Sequence, residues 1–487
     1  MNHINKNIRI SNPLVFVPLN ISNYGILVYI AALIGCTVLY SHYIMQWYWW
    51  VFGLVEVLGF FYFSNKFTKE WAGFRPGVFE KNLFWTAFAI RVCIMILLYW
   101  FHDKMTGQPF MFHAKDAIGY HEEAKWMAST IREGRFSTYL NYKFGPGRGV
   151  SDAGYPVYLG FVYLISNDSI IFARLLKSIL GALTCVLIYR LGKRNFGEQV
   201  GRIAAILMML EPHFSIYGGF HLKETEMIFV VIFFLERADN LVRSRQFNFR
   251  NILTVGLLAA TLFTFRTVLG LTGIFSLMMA LVLSSQRVIG WGKRIVFLIV
   301  FGATALFFAG GRIANEIEAV WELREDNQSG RMSEIVRTQS FAKYAGSAVF
   351  APMIFTLPFP TMVETENQEV SRMLHGGMMV KNIMSYFCLI AIISLIFPLI
   401  PGLNKWRNHI LIGVFLLAYL AILALSAFAH SDRFHMPALA IEMLFIAYGI
   451  SLWRFAKIRR WYYLWCILMF IAAVGWNWFK LKGRGMM

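Results

Sequence analysis

Polar and apolar positions along this chain segregate into long blocks. Runs apolar enough to cross a hydrocarbon core of about 30 Å, at roughly 20 residues each, lie near 23–42, 46–64, 83–101, 169–191, 199–217, 222–238, 251–285, 294–311, 380–400, 409–428, 434–454 and 461–479. The 251–285 run is too long for one span and is broken at Thr264-Phe-Arg-Thr267, so it predicts two short tilted helices or a re-entrant pair. The pattern therefore predicts an all-α, polytopic transmembrane bundle of about 12–14 spans. Two long polar blocks interrupt it, at 103–168 and 312–379. They divide the chain into a leading hairpin of spans (1–82), a transmembrane module (83–311) that contains the first polar loop, the second loop (312–379) and a terminal set of helices (380–487).

The first loop carries shorter signals. Tyr120 to Glu133 has helical spacing that would lay Tyr120, Trp126, Met127 and Ile131 on a membrane surface while Glu122, Glu123 and Lys125 face water. Gly145-Pro-Gly-Arg-Gly149 breaks the chain, and the apolar run 155–166 predicts a second interfacial helix. Trp47 to Trp50 reads as an interfacial aromatic belt.

Composition agrees with the pattern. Of 487 residues, 57% are hydrophobic and only 15% charged, with a mean hydropathy of +0.54; that is too little polar surface for a soluble globule of this size. The net charge of +19 is spread in short clusters between apolar runs, which excludes a contiguous nucleic-acid surface and follows the positive-inside pattern. With a cytoplasmic amino terminus, the inner loops hold Lys66, Lys69, Arg75 and Lys81, Arg190 to Arg194, Arg243 to Arg250, Arg287 to Arg294, Lys405 and Arg407, and Arg454 to Arg460. Lys480, Lys482 and Arg484 depart from the rule. Both polar loops then face outward. The first run continues into a second without a cleavage site, so it reads as a retained anchor. Cys36, Cys93, Cys185, Cys388 and Cys466 lie within or at the edge of apolar runs with no CxxC spacing, implying neither disulfide nor metal.

Ionisable residues at the outer span ends are the candidates for chemistry, because charge at or in a span faces a cavity or a partner. Asp116 with Tyr120 and His121, Glu211 with His213 and His221-Leu-Lys-Glu224, Arg266, and His430-Ser-Asp-Arg433 with His435 all fall on that one face. The turn of His430, Asp432 and His435 cannot aim three ligands at a zinc ion. Glu122 and Glu123 read as a wetted helix face, and Lys223 with Glu224 reads equally as a local ion pair or as an anion site.

Lys115-Asp-Ala-Ile-Gly-Tyr-His-Glu-Glu-Ala124, just after a span, resembles the Asp-x-x-x-Tyr-x-x-x-Ala signature in the first external loop of GT-C fold glycosyltransferases. Gly154-Tyr-Pro-Val-Tyr158, Ala173-Arg-Leu-Leu176, Ile188-Tyr-Arg-Leu191, Phe196-Gly197, Glu211-Pro212 and Asp432-Arg-Phe-His-Met-Pro437 follow the order of the branch that includes protein mannosyltransferases and lipid A aminoarabinose transferases. The likeness covers about 83–285 and 409–455, lacks the usual second acid beside Asp116, and has an extra hairpin at 23–64. It implies a GT-C-like bundle in a bacterial inner membrane, facing the periplasm or exterior, that passes a sugar from a polyprenyl-phosphate-linked donor to a glycan, lipid or protein acceptor. The partners so implied are donor, acceptor and membrane lipid, with no nucleic acid.

Such a transfer needs a carboxylate to take the acceptor's proton, and Asp116 fits. It also needs cations for the lipid phosphate, for which Lys223, Arg266 and Arg433 are available. Tyr120, His121, Glu122, Glu211, His221 and Glu224 are candidate supporting residues. The sequence identifies no cofactor; a divalent cation on Asp116 with Glu122 or Glu224 is an option that the residue types allow. An O-antigen polymerase or ligase, which uses a diphosphate-linked oligosaccharide, would instead place weight on Arg331 and His375. A transporter would use span-interior charges as an ion path, with inverted repeats that this sequence does not display.

Overall fold

The computed structural model describes residues 16–145, 150–244, 249–283, 359–397, 406–424 and 431–486. The predicted span 294–311, most of the second polar loop with Arg331, and His430 lie outside them. Every regular element among the described residues is helical. In chain order the helices are α1 (Leu19–Leu39), α2 (Trp47–Glu70), α3 (Pro76–Thr106), α4 (Lys115–Arg132), α5 (Phe136–Phe144), α6 (Gly154–Ser166), α7 (Ile170–Phe196), α8 (Glu198–Leu210), α9 (Pro212–Gly219), α10 (Glu224–Arg243), α11 (Phe249–Phe265), α12 (Thr267–Leu283), α13 (Glu369–Met373), α14 (His375–Ile396), α15 (Ile410–Ala424), α16 (Asp432–Ser451) and α17 (Ala456–Gly483).

Six of these, α1, α3, α7, α14, α16 and α17, are long and apolar enough to cross a membrane, and α6, α11, α12 and α15 are shorter apolar helices. Trp85, Leu97, Trp100 and Ile467 point outward from the bundle, an arrangement that suits lipid and would be unstable in water. The protein is a membrane-embedded helical bundle. α16 is at its centre, buried along most of its length.

Local chemistry sets the breaks. Pro212 cannot donate a backbone hydrogen bond, and the Glu211 side chain instead accepts from the Phe214 amide at 2.6 Å. The predicted 199–217 span is thus a kinked pair, α8 and α9. At Arg266 the chain folds back: a Cβ at Gly273 would lie 3.3 Å from the Leu262 side chain, which a straight helix could not allow. Arg266 therefore occupies a turn at the bundle end between α11 and α12, where a guanidinium costs far less than in mid-membrane.

Basic residues gather at the opposite end from that turn, and acids meet many of them. Arg194 bonds Asp239 at 2.6 Å and Glu236 at 2.9 Å, Arg243 reaches Asp239 and the Asn408 carbonyl, each at 2.9 Å, and Arg190 bonds Glu80 at 2.6 Å. These contacts tie α3, α7, α10 and the start of α15 together.

The leading pair, α1 and α2, is built into the bundle. α2 meets α14 through glycines: a Cβ at Gly376 would fall 2.8 Å from the Gly53 Cα, and Glu56 accepts the Gly377 amide at 2.7 Å. On α1, Tyr29 bonds His375 at 2.9 Å, and Tyr462 of α17 reaches the Ile21 carbonyl at 3.1 Å.

Candidate functional site

Asp116 lies in the first turn of α4, where a carboxylate complements the helix dipole. It extends toward the first turn of α16, whose Arg433 donates through Nη1 to Asp116 and through Nε to Glu224. One guanidinium thus joins α4, α10 and α16, with 58% of the Asp116 side chain exposed and none of Glu224. Pro437, four residues along α16, has no N–H for the Arg433 carbonyl, so the helix starts with a missing rung. Tyr217 donates to the neighbouring Asp432 at 3.2 Å.

Lys223 precedes α10 and is 3% exposed. Its ammonium reaches the Phe265 carbonyl at 3.4 Å and pairs with Asp152 from the loop ahead of α6. Lys223 and Glu224 therefore take separate partners, and the local pair between them does not form. Arg266 stacks over Phe434, 3.9 Å from the ring centroid, within electrostatic reach of Lys223 and Glu224. Four of the sequence candidates, Asp116, Lys223, Arg266 and Arg433, with Glu224, thus share one end of the bundle. Arg433 sits where a divalent cation between Asp116 and Glu224 would sit, and Glu122 points away, 62% exposed. Among the described residues no three His, Cys, Asp or Glu converge as a metal site.

Tyr120 packs edge-on against Tyr155, with centroids 5.1 Å apart. Burial pushes its hydroxyl up to about 12, against the pull of Arg433, so it remains a donor at neutral pH. His121 is held by Tyr163, whose hydroxyl is 2.6 Å from His121 Nδ1 and 3.2 Å from His221 Nε2. A single hydroxyl between two imidazoles donates to one and accepts from the other. His221 is therefore a buried brace and not a mouth residue. Tyr163→Phe should leave both rings short of a partner and cost about 1–3 kcal/mol, read as a lower thermal midpoint in detergent; an unchanged midpoint would refute the brace.

Burial also lowers the His121 pKa. As pH falls, the unfolded chain takes up this proton first, so the contribution is full above about pH 6.5 and is lost below it as pH approaches the lower folded value.

The first loop differs from the expected amphipathic strip. α4 lies on α6, with Met127 buried against Gly160, because a glycine there lets the thioether nestle onto the backbone. Glu123 does not face water: it bonds Lys143 at 2.7 Å and accepts from Tyr139 at 3.0 Å, fastening α5 to α4. Glu211 belongs elsewhere too. It bonds His213 at 3.0 Å in a second buried polar cluster with Lys381, Glu442 and Glu56, beside a cavity of about 10 Å³ lined by His213, Lys381, Asp432 and His435.

Three residues not singled out in the sequence complete the site. Buried Lys177 of α7 donates to the Phe220 carbonyl at 2.9 Å, to the Leu222 carbonyl, and lies 3.5 Å from Glu226, which fixes the strand of loop that presents Lys223. Asp152 is the third. An apolar cavity of about 400 Å³ opens beside it, lined by Ala153, Gly154, Tyr158, Phe229, Thr264 and Phe265 among others, with Glu226 in its wall. Charge inside an apolar run was the available signal for Lys177, three residues from Arg174, while Glu226 stands beside Lys223 and Glu224 at the edge of a run; Asp152 gave none.

Comparison of the chain with protein-family models, with curated proteins and with solved structures finds no match.

Proposed function

We propose that this protein is a membrane glycosyltransferase of GT-C-like build that moves a sugar from a polyprenyl-phosphate-linked donor to a glycan, lipid or protein acceptor. The observation that carries the reading is the meeting of an exposed carboxylate, Asp116, with Lys223, Arg266 and Arg433 at one end of the bundle, beside an apolar cavity. The basic residues of the opposite end favour the cytoplasm, which turns Asp116 outward, to the periplasm or exterior of a bacterial inner membrane.

In this reading the cavity takes the first part of the donor's hydrocarbon chain, while the rest runs in the bilayer. Asp116 accepts the proton of the acceptor hydroxyl as its oxygen bonds to the anomeric carbon, and the bond from that carbon to the phosphate oxygen breaks. Charge develops on the departing polyprenyl phosphate, where Lys223 and Arg266 meet it in a water-poor setting. Arg433 aims Asp116, since its guanidinium is shared with Glu224. The alternative, an O-antigen polymerase or ligase, loses support because His375 is fully buried and spent on Tyr29 at 2.9 Å and the Arg372 carbonyl at 2.6 Å.

The test is transfer by the purified protein in lipid, given a polyprenyl-phosphate sugar and envelope acceptors, with release of polyprenyl phosphate as the readout. Accumulation of an oligosaccharide diphosphate carrier in cells lacking the protein would favour polymerisation instead. Lys223→Gln and Arg266→Ala should each weaken donor binding by about 10–100-fold, the loss of one charge-assisted contact, with a smaller change in turnover at saturating donor. Donor titrations that superimpose on the unaltered protein would remove the cation role.

A further inference from the structure

We propose that Asp152 is a resident anion on Lys223, holding the place that the donor's phosphate takes and returning to it when polyprenyl phosphate leaves. The inference rests on the reading above and adds a regulating residue to that site.

A buried ammonium needs a negative partner. Of the nearby carboxylates, Glu224 and Asp116 are held by Arg433, and Glu226 by Lys177. Asp152 is what remains, and it differs in kind from the two buried acids, Glu224 and Glu226: its side chain is 56% exposed, and it sits in a loop with a left-handed backbone, φ 61°. A carboxylate already half in water loses little hydration in stepping aside, whereas Glu224 or Glu226 would be stranded. The next two residues, Ala153 and Gly154, form the rim of the apolar cavity. Movement of Asp152 therefore adjusts the cavity edge together with the cation.

Charge accounting suits exchange in both directions. A sugar-linked phosphodiester carries one negative charge, as Asp152 does, so the swap leaves Lys223 and Arg266 balanced. After transfer the product monoester carries more charge and would cling to the cations. Asp152 competes for Lys223 and helps to expel it.

The test is binding of a long-chain polyprenyl phosphate to the full-length protein in detergent or nanodiscs, with the unphosphorylated polyprenol as control. Asp152→Asn keeps a side chain that tolerates positive φ but gives up the charge. It should tighten polyprenyl phosphate binding by about tenfold, the factor for a competitor that occupies Lys223 nine-tenths of the time. Asp152→Gly, equally at ease at that φ, should do the same, and Lys223→Gln in the Asp152→Asn background should erase the gain. Unchanged or weaker binding by both Asp152 variants, with Lys223-dependent binding in the unaltered protein, would overturn the role of Asp152 alone. Equal binding of polyprenol and polyprenyl phosphate, or binding indifferent to Lys223, would instead overturn the phosphate site and with it the proposed function.

Discussion

Asp116→Asn is expected to lower sugar transfer by roughly 10²–10⁴-fold, the range for loss of a positioned general base, while folded yield and donor affinity stay near those of the unaltered protein. The amide is the same size and still accepts from Arg433 through its oxygen, so the first turn of α4 keeps its tie to α16. What disappears is the capacity to take a proton. The side chain is more than half exposed, so little burial energy depends on its charge and misfolding is not a competing explanation. Initial rates at saturating donor, set beside thermal midpoints, separate chemistry from structure. Normal turnover by this variant would dismiss Asp116 as the base.

Arg433→Ala is expected to be the most damaging single change to stability, at about 3–5 kcal/mol, the cost of stranding a buried charge. Glu224 has no exposed surface and takes its hydrogen bond from Arg433. Removing the guanidinium leaves that buried carboxylate without its hydrogen-bond donor, with only the charges of Arg266 and Lys223 to offset it, and removes the tie between α4 and α16. Arg433→Lys should recover only part of the loss, because an ammonium cannot span two carboxylates in the plane that a guanidinium does. Adding Glu224→Gln to Arg433→Ala should restore stability without restoring transfer. The check is a set of four melting curves in one detergent. A single alanine variant that melts with the unaltered protein would show that the clamp contributes little.

Much of the helical layout could be read from apolar run length, since a helix confined to lipid must satisfy its own backbone groups. The runs at 169–191, 380–400 and 461–479 correspond to α7, α14 and α17. Run length says nothing of partners, however. Glu56, Arg91, Lys381 and Glu442 each sit singly in apolar sequence and gain meaning only from what lies across from them. Asp116, Lys223, Arg266 and Arg433 could be grouped because all occur at span ends on one side, and side alternation is countable along a chain. Their pairing was not countable. That Arg433 would bridge two acids, or that Asp152 would settle on Lys223, depends on how α4 and α6 lie over the bundle, which no periodicity encodes.

The glycine seam between Gly53 and Gly376 has a practical consequence for shortening the protein. With backbone against backbone, α14 has no side chains there to fill a gap if α2 is removed, and Glu56 would leave the Gly377 amide without its acceptor. A chain starting at residue 83, tempting because the recognisable motifs begin downstream, would thus open a trench down one flank for lipid tails to invade. Minimal versions for crystallisation or display are better cut in the surface loops than at the front.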